Sequence, residues 1–142
     1  MKSKPPLILM EQMVMVLVFA LAAALCLQAF VRSDNMSLRS EQRDRALVQV
    51  QSAAETVRSC RGDMAEAARV LGATEYGVGS LTLSMDENWE PVDDNGCWTL
   101  RVLEEDSGLH GLGKAHVWVV DETRGTELVS LDIAWQEVSY GE

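Results

Sequence analysis

From Met13 to Val31 the chain runs nineteen residues with one polar member, Gln28. That is close to the ~20 residues an α-helix needs to cross the hydrocarbon core of a bilayer. No proline or glycine interrupts the run after Pro6. Pro5 and Pro6 stand where a helix can begin, since proline is tolerated in the first turn. Extending the run upstream to Leu7 admits Glu11 and Gln12. A carboxylate at bilayer depth is costly unless paired, so Glu11 asks for a chemical reason.

Three fates for this segment compete. Lys2 and Lys4, with Ala22-Ala23-Ala24, outline a cleaved secretory signal. Against it, the helical pattern continues past that point, and Glu11-Gln12 interrupts the step from basic to apolar. A lipoprotein anchor needs a small residue before its cysteine, whereas Leu25 precedes Cys26. The reading we carry forward is a retained, single-pass helix in the cell membrane. Lys2, Lys4 and the α-amine place the N-terminus in the cytoplasm and the rest outside, by the positive-inside tendency. Arg32, Arg39, Arg43 and Arg45 at the far end are partly offset by Asp34, Glu41 and Asp44.

Charge divides the chain. Residues 1–62 hold eight Lys/Arg and five Asp/Glu, a balance of +3, and residues 63–142 hold four and seventeen, a balance of -13. The two sum to the net charge of -10. An acidic surface repels phosphate, which argues against the C-terminal part gripping nucleic acid by itself. Of the three cysteines, Cys26 lies in the apolar run and reads as a small buried hydrophobe. If the C-terminal part is extracytoplasmic, Cys60 and Cys97 can form a disulfide; the sequence leaves open whether their Cβ atoms meet.

The helix need not stop at the membrane. Ser37 to Cys60 holds no proline or glycine. Leu47, Val50, Ala54 and Val57 recur at spacings of three, four and three, the period of one helix face. Ser33-Asp34-Asn35 is a small break, a kink, or simply the polar exit. A continuous helix from Leu7 to Cys60 would be 54 residues, ~80 Å. Its outer half must pack its apolar stripe on something. Gly62 is the expected stop. Asp63 then caps a short helix with Met64, Ala67, Ala68 and Leu71 on one face and Gly72 at its end.

After Gly79 the period changes to two. "SLTLSM" reads as a first weak strand, "CWTLRVLEE" as a second, "KAHVWVVDE" as a third and "TELVSLDIAWQE" as a fourth. "ENWEPVDDNG", "SGLHGLG" and "TRG" are the connections. Short connections imply antiparallel neighbours, so the second to fourth strands form a meander whose apolar face needs a cover. The expected class is α+β: a membrane-rooted helix whose outer half packs on a small antiparallel sheet. The expected segments are a basic leader-like stretch 1–6, a transmembrane helix 7–31, an amphipathic extension 32–61 and an acidic extracytoplasmic head 62–142.

This layout resembles the type IV pilin-like family, including the pseudopilins of type II secretion systems. That family has a short basic leader and then an apolar helix whose fifth mature residue is glutamate. Here "MKSKPP" matches the leader and "LILME" the first five mature residues, placing the leader boundary at Pro6 and Leu7 and Glu11 at the glutamate position. The family's leaders end in glycine and its mature chains begin with phenylalanine; Pro6 and Leu7 stand in those places. The resemblance implies a non-enzymatic subunit or accessory of a type IV pilus or type II secretion-like assembly. Its partners would be membrane lipid and other pilin-like subunits, met through the N-terminal helix, and it implies no cofactor. In the family picture the glutamate neutralises the freed amine of a neighbouring subunit. The alternative for Glu11 is an interfacial site one turn from the helix start, where the helix dipole favours a negative charge and Lys2 or Lys4 reaches it. The alternative for the whole chain is a monomeric, membrane-anchored extracytoplasmic binding domain that does not polymerise.

Other side chains carry weaker signals. His110 lies in a glycine-rich loop and His116 on a strand, with no further metal ligands spaced to join them. Asp86, Glu87, Glu90, Asp93 and Asp94 offer oxygen ligands for calcium but lack the alternation of an EF-hand loop. Trp89, Trp98, Trp118 and Trp135 are expected in core or sheet packing, with an exposed one available for adhesion. "GLHGLG" follows a strand but opens no helix, so it fails the test for a dinucleotide site.

Overall fold

A computed structural model describes residues 5–73 and 75–137, apart from the Pro5 side chain. The element order is α1 (Pro5–Ser59), α2 (Met64–Leu71), β1 (Glu75–Gly77), β2 (Ser80–Met85), β3 (Pro91–Val92), β4 (Trp98–Glu105), β5 (Leu112–Asp121) and β6 (Thr126–Gln136). The chain is α+β, with a long N-terminal apolar helix whose C-terminal part packs against a small antiparallel sheet. Two compact units are resolved, Met1–Ser40 and Glu41–Glu142.

α1 runs unbroken through Ser33-Asp34-Asn35, so that triplet is not a break. Asn35 donates from Nδ2 to the Val31 carbonyl at 2.9 Å, satisfying its amide on the helix itself. The helix ends where Gly62 takes φ +83°, and the Gly62 N–H donates to the Val57 carbonyl at 3.0 Å. α2 follows as expected. Asp63 accepts from the N–H groups of Ala65 and Glu66 at 3.0 and 3.1 Å, and Gly72 closes the helix in the left-handed region.

In the unit Glu41–Glu142 the sheet order is β1-β2-β4-β5-β6, with β3 also on β2, and all pairs are antiparallel. The β4–β5–β6 meander forms as its short connections require. The short strands β1 and β3 carry no periodicity of their own and owe their pairing to β2. In β5, Gly113, Ala115, Val117, Val119 and Asp121 turn inward, and they face Val129, Leu131, Ile133 and Trp135 of β6 in register. A register shift between Val119 and Val120 bulges β6 near the Asp121 turn. Asp121 is buried, but its Oδ1 accepts from the N–H groups of Thr123 and Arg124 at 2.9 and 3.2 Å, so its carboxylate builds the turn.

The helix stripe keeps Val50, Ala54 and Val57 of the expected one and differs from it at Leu47. Leu47 is exposed; Ala46, Val50, Ala53, Ala54 and Val57 are the buried face. Three alanines on that face bring the backbone close to the sheet, and a leucine there would hold it off. Met64, Ala67 and Ala68 of α2 join the same core, with Leu71 at its margin.

Candidate functional site

Three places gather chemically notable side chains, and other candidates stand apart from them. The first is the apolar part of α1. There Leu7, Phe19 and Phe30 are 73%, 77% and 79% exposed, and apolar side chains cover every face of the helix. A helix that is apolar all round and covered by no other part of its own unit is compatible with anchoring in a membrane. Met13 to Val31 spans ~28 Å at the α-helical rise, against a hydrocarbon core of ~30 Å.

Glu11 sits on this helix, exposed, four residues after Leu7 and so on the same face. Its neighbours one turn away are Leu7, Ile8, Val14 and Met15, all apolar. Among the described residues no cation pairs with it. Lys2 and Lys4, its expected interfacial partners, lie outside the described residues. Pro6 and Leu7 both stand in the first turns of α1. Cys26 is exposed on the same helix and not buried against the protein atoms of its own unit, unlike the buried hydrophobe the sequence leads one to expect.

The second place is the pair of cysteines in the head. Both are free thiols at the margin of the core. The strand register bears on the disulfide that the sequence leaves open. Cys97 precedes Trp98, which pairs with Asp121 at one end of β5. Cys60 lies two residues before Gly62, whose Cα abuts the Trp135 ring, and Trp135 pairs with Gly113 at the other end of β5. Gly113 to Asp121 is eight residue steps, ~26 Å of strand. A disulfide tolerates at most ~7 Å between Cα atoms, so Cys60 and Cys97 do not bridge in this fold.

The third place is the solvent face of the sheet, which sequence reasoning did not assemble. Leu103, His116 and Asp132 line up across β4, β5 and β6. His116 Nδ1 meets Asp132 Oδ1 at 2.5 Å. The His116 hydrogen bond, helped by the charge of Lys114, holds the Asp132 carboxyl below the usual carboxylate range. One step along, Lys114 Nζ lies 2.7 Å from Glu105 Oε2, and that bond raises the lysine above its ordinary value. Trp118 is half-buried on this face, its ring 5.1 Å from His116. A period-two pattern marks these residues as one face, but only the β5–β6 register brings His116 opposite Asp132. No serine, threonine or cysteine hydrogen-bonds to the imidazole among the described residues.

The remaining candidates are local. His110 is exposed in its loop. Asp86 Oδ1 accepts from the N–H groups of Asn88 and Glu90 at 2.8 and 3.0 Å, so it folds the acidic loop around itself. Among the described residues no three His, Cys, Asp or Glu side chains converge on a metal-sized space. Trp89 adopts φ +66° and stacks on Trp98 with ring centroids 4.8 Å apart, so both belong to the core. Trp135 is core too, its ring lying against both Gly62 and Gly113. Comparison with protein-family models, with curated proteins and with solved structures finds no match to this chain.

Proposed function

We propose that this chain is a non-enzymatic, pilin-like or pseudopilin-like single-pass membrane protein, a subunit or accessory of a type IV pilus or type II secretion-like assembly. One observation carries the reading: Glu11, the lone carboxylate in the apolar part of α1, stands exposed five residues after Pro6 on a helix that continues without a break to Ser59. A carboxylate held among apolar side chains is costly at bilayer depth unless paired, and an amine on a neighbouring chain supplies a partner. The helix then contributes packing and one charge contact, the N-terminus lies in the cytoplasm, and the acidic head is extracytoplasmic. Replacing Glu11 with alanine removes the charge contact and leaves the apolar face intact. Loss of incorporation into a filament or membrane complex is the expected result, and undiminished incorporation refutes the reading.

Pro6 favours a second reading. Proline fixes φ and lacks an N–H, which makes Pro6–Leu7 a poor bond for a peptidase. An uncut chain would be a monomeric, membrane-anchored extracytoplasmic binding domain. Mass spectrometry of the mature N-terminus separates the two: a start at Leu7 supports the assembling subunit, and an intact N-terminus supports the anchored domain.

A further inference from the structure

The sheet has two unlike edges. Beside β2 the edge is broken between β1, three residues long, and β3, two residues long. Short edge strands are one way proteins blunt an edge against added strands. The other edge is β6, eleven residues from Thr126 to Gln136, with β5 on one side and no further strand among the described residues.

The ladder fixes which groups of β6 face outward. The Glu137 N–H donates to the Gly111 carbonyl at 2.9 Å, so position 137 turns toward β5. Alternation places Trp135, Ile133, Leu131 and Val129 on the same side and turns the backbone groups of Ser130, Asp132 and Ala134 away. Arg58 agrees with this, since its Nε reaches the Ala134 carbonyl from the open side at 3.3 Å. Among the described residues no hydrogen bond is made to the backbone groups of Ser130 or Asp132. The inner face is thinly covered beside them. Leu131 is 38% exposed and Val129 half-buried, whereas Ile133 and Trp135 are buried. β6 carries Glu127 and Asp132 and no basic residue, and residues 41–142 hold eight Lys/Arg against twenty Asp/Glu, a balance of -12.

We propose that the free edge of β6 is a docking site for an extended, basic segment of a partner chain, added as one more strand beside Ser130 and Asp132. Backbone hydrogen bonds supply the common part of the affinity. Apolar side chains at alternate positions of the segment cover Val129 and Leu131, and the intervening lysines or arginines meet Asp132 and Glu127. A second copy of this chain is the wrong occupant. Pairing β6 with β6 brings two acidic strands and two units of -12 together, which is repulsive. The inference goes beyond the pilin-like reading and does not rest on it.

The test uses the full chain in detergent micelles and a synthetic peptide of alternating lysine and valine, about eight residues long, the length of an ordinary strand. Amide hydrogen exchange at Ser130 and Asp132 should slow at least about tenfold with the peptide, while Leu131, whose N–H already lies in the ladder, should not change. A glutamate–valine peptide should give no protection. Ser130→Pro removes an outward N–H, a position where edge strands accept proline, so protection should vanish while thermal unfolding stays the same. Asp132→Lys keeps the N–H and reverses the charge; it should lose the lysine–valine peptide and gain the glutamate–valine one, which decides the matter should the proline variant fail to fold. No slowing with the basic peptide, equal slowing with the acidic one, or protection surviving in a folded Ser130→Pro overturns the proposal. Protection that rises with protein concentration and no peptide assigns the edge to a second copy and also overturns it.

Discussion

Gly62→Ala tests how the end of α1 is seated on the sheet. Gly62 has φ +83°, and a Cβ placed there would lie 2.5 Å from Cζ2 of Trp135. The left-handed region costs a residue with a Cβ about 1–2 kcal/mol. Overlap with a ring that cannot withdraw adds about 1–3 kcal/mol. The indole cannot withdraw because Gly113 lies against it as well and the residue is 7% exposed. Together these predict about 2–5 kcal/mol of destabilisation, and a domain near this size loses about 4–8 °C in Tm per kcal/mol. Gly125 is the control. It has φ +62° with no atom within 4 Å of a built Cβ, so Gly125→Ala incurs the backbone term alone, about 1–2 kcal/mol. Thermal unfolding of the full chain in detergent micelles, followed by near-ultraviolet circular dichroism, reads both. In a Trp135→Ala background the Gly62→Ala cost should fall to the backbone term, giving a coupling of about 1–3 kcal/mol. Equal Tm shifts for the two glycine variants, or an additive cycle, would refute the seating of Trp135 between Gly62 and Gly113.

Asp63→Ala should cost about 0.5–2 kcal/mol in the same unfolding assay, because two α2 N–H groups lose their acceptor, and Asp63→Asn should restore most of it. Asp132 should titrate below the ordinary aspartate value of about 3.9 by carbon NMR, and His116→Ala should bring it back up. A lowered folded value means that the contribution of Asp132 to stability is present above about pH 4 and fades as pH falls through the lowered value. Denaturing alkylation without reductant should label Cys26, Cys60 and Cys97 alike, and a Cys60–Cys97 linked peptide in the digest would contradict the strand register.

The elements that sequence made legible are those whose signal is local. An apolar run, a cap at Asp63, a glycine at Gly72 and a two-residue period each act on the residues beside them. Four strands and two helices were therefore readable from periodicity and punctuation. β1 and β3 were not, because three- and two-residue strands owe their existence to the edge of β2. Leu47 was misplaced for a related reason. The helical period permits either leucine or alanine on the stripe, and the gap between helix and sheet decides for Ala46 and Ala53. The cysteine pair shows the limit most sharply. Composition and spacing allow a bridge, and only the eight residue steps of β5 between their ends of the sheet forbid it.

The sequence alone determined the membrane-competent helix, the lone carboxylate at Glu11 five residues past Pro6, and the acidic balance of the C-terminal part. These rest on hydropathy and charge, which are properties of the residues themselves. The tertiary structure decided what stands opposite what. Register set His116 against Asp132, and chain folding packed Trp135 onto Gly62 and Gly113. The same pairing left β6 as the long edge with Ser130 and Asp132 facing outward. Those outcomes depend on contacts between residues far apart in the chain, and a one-residue slip in pairing would reverse every face.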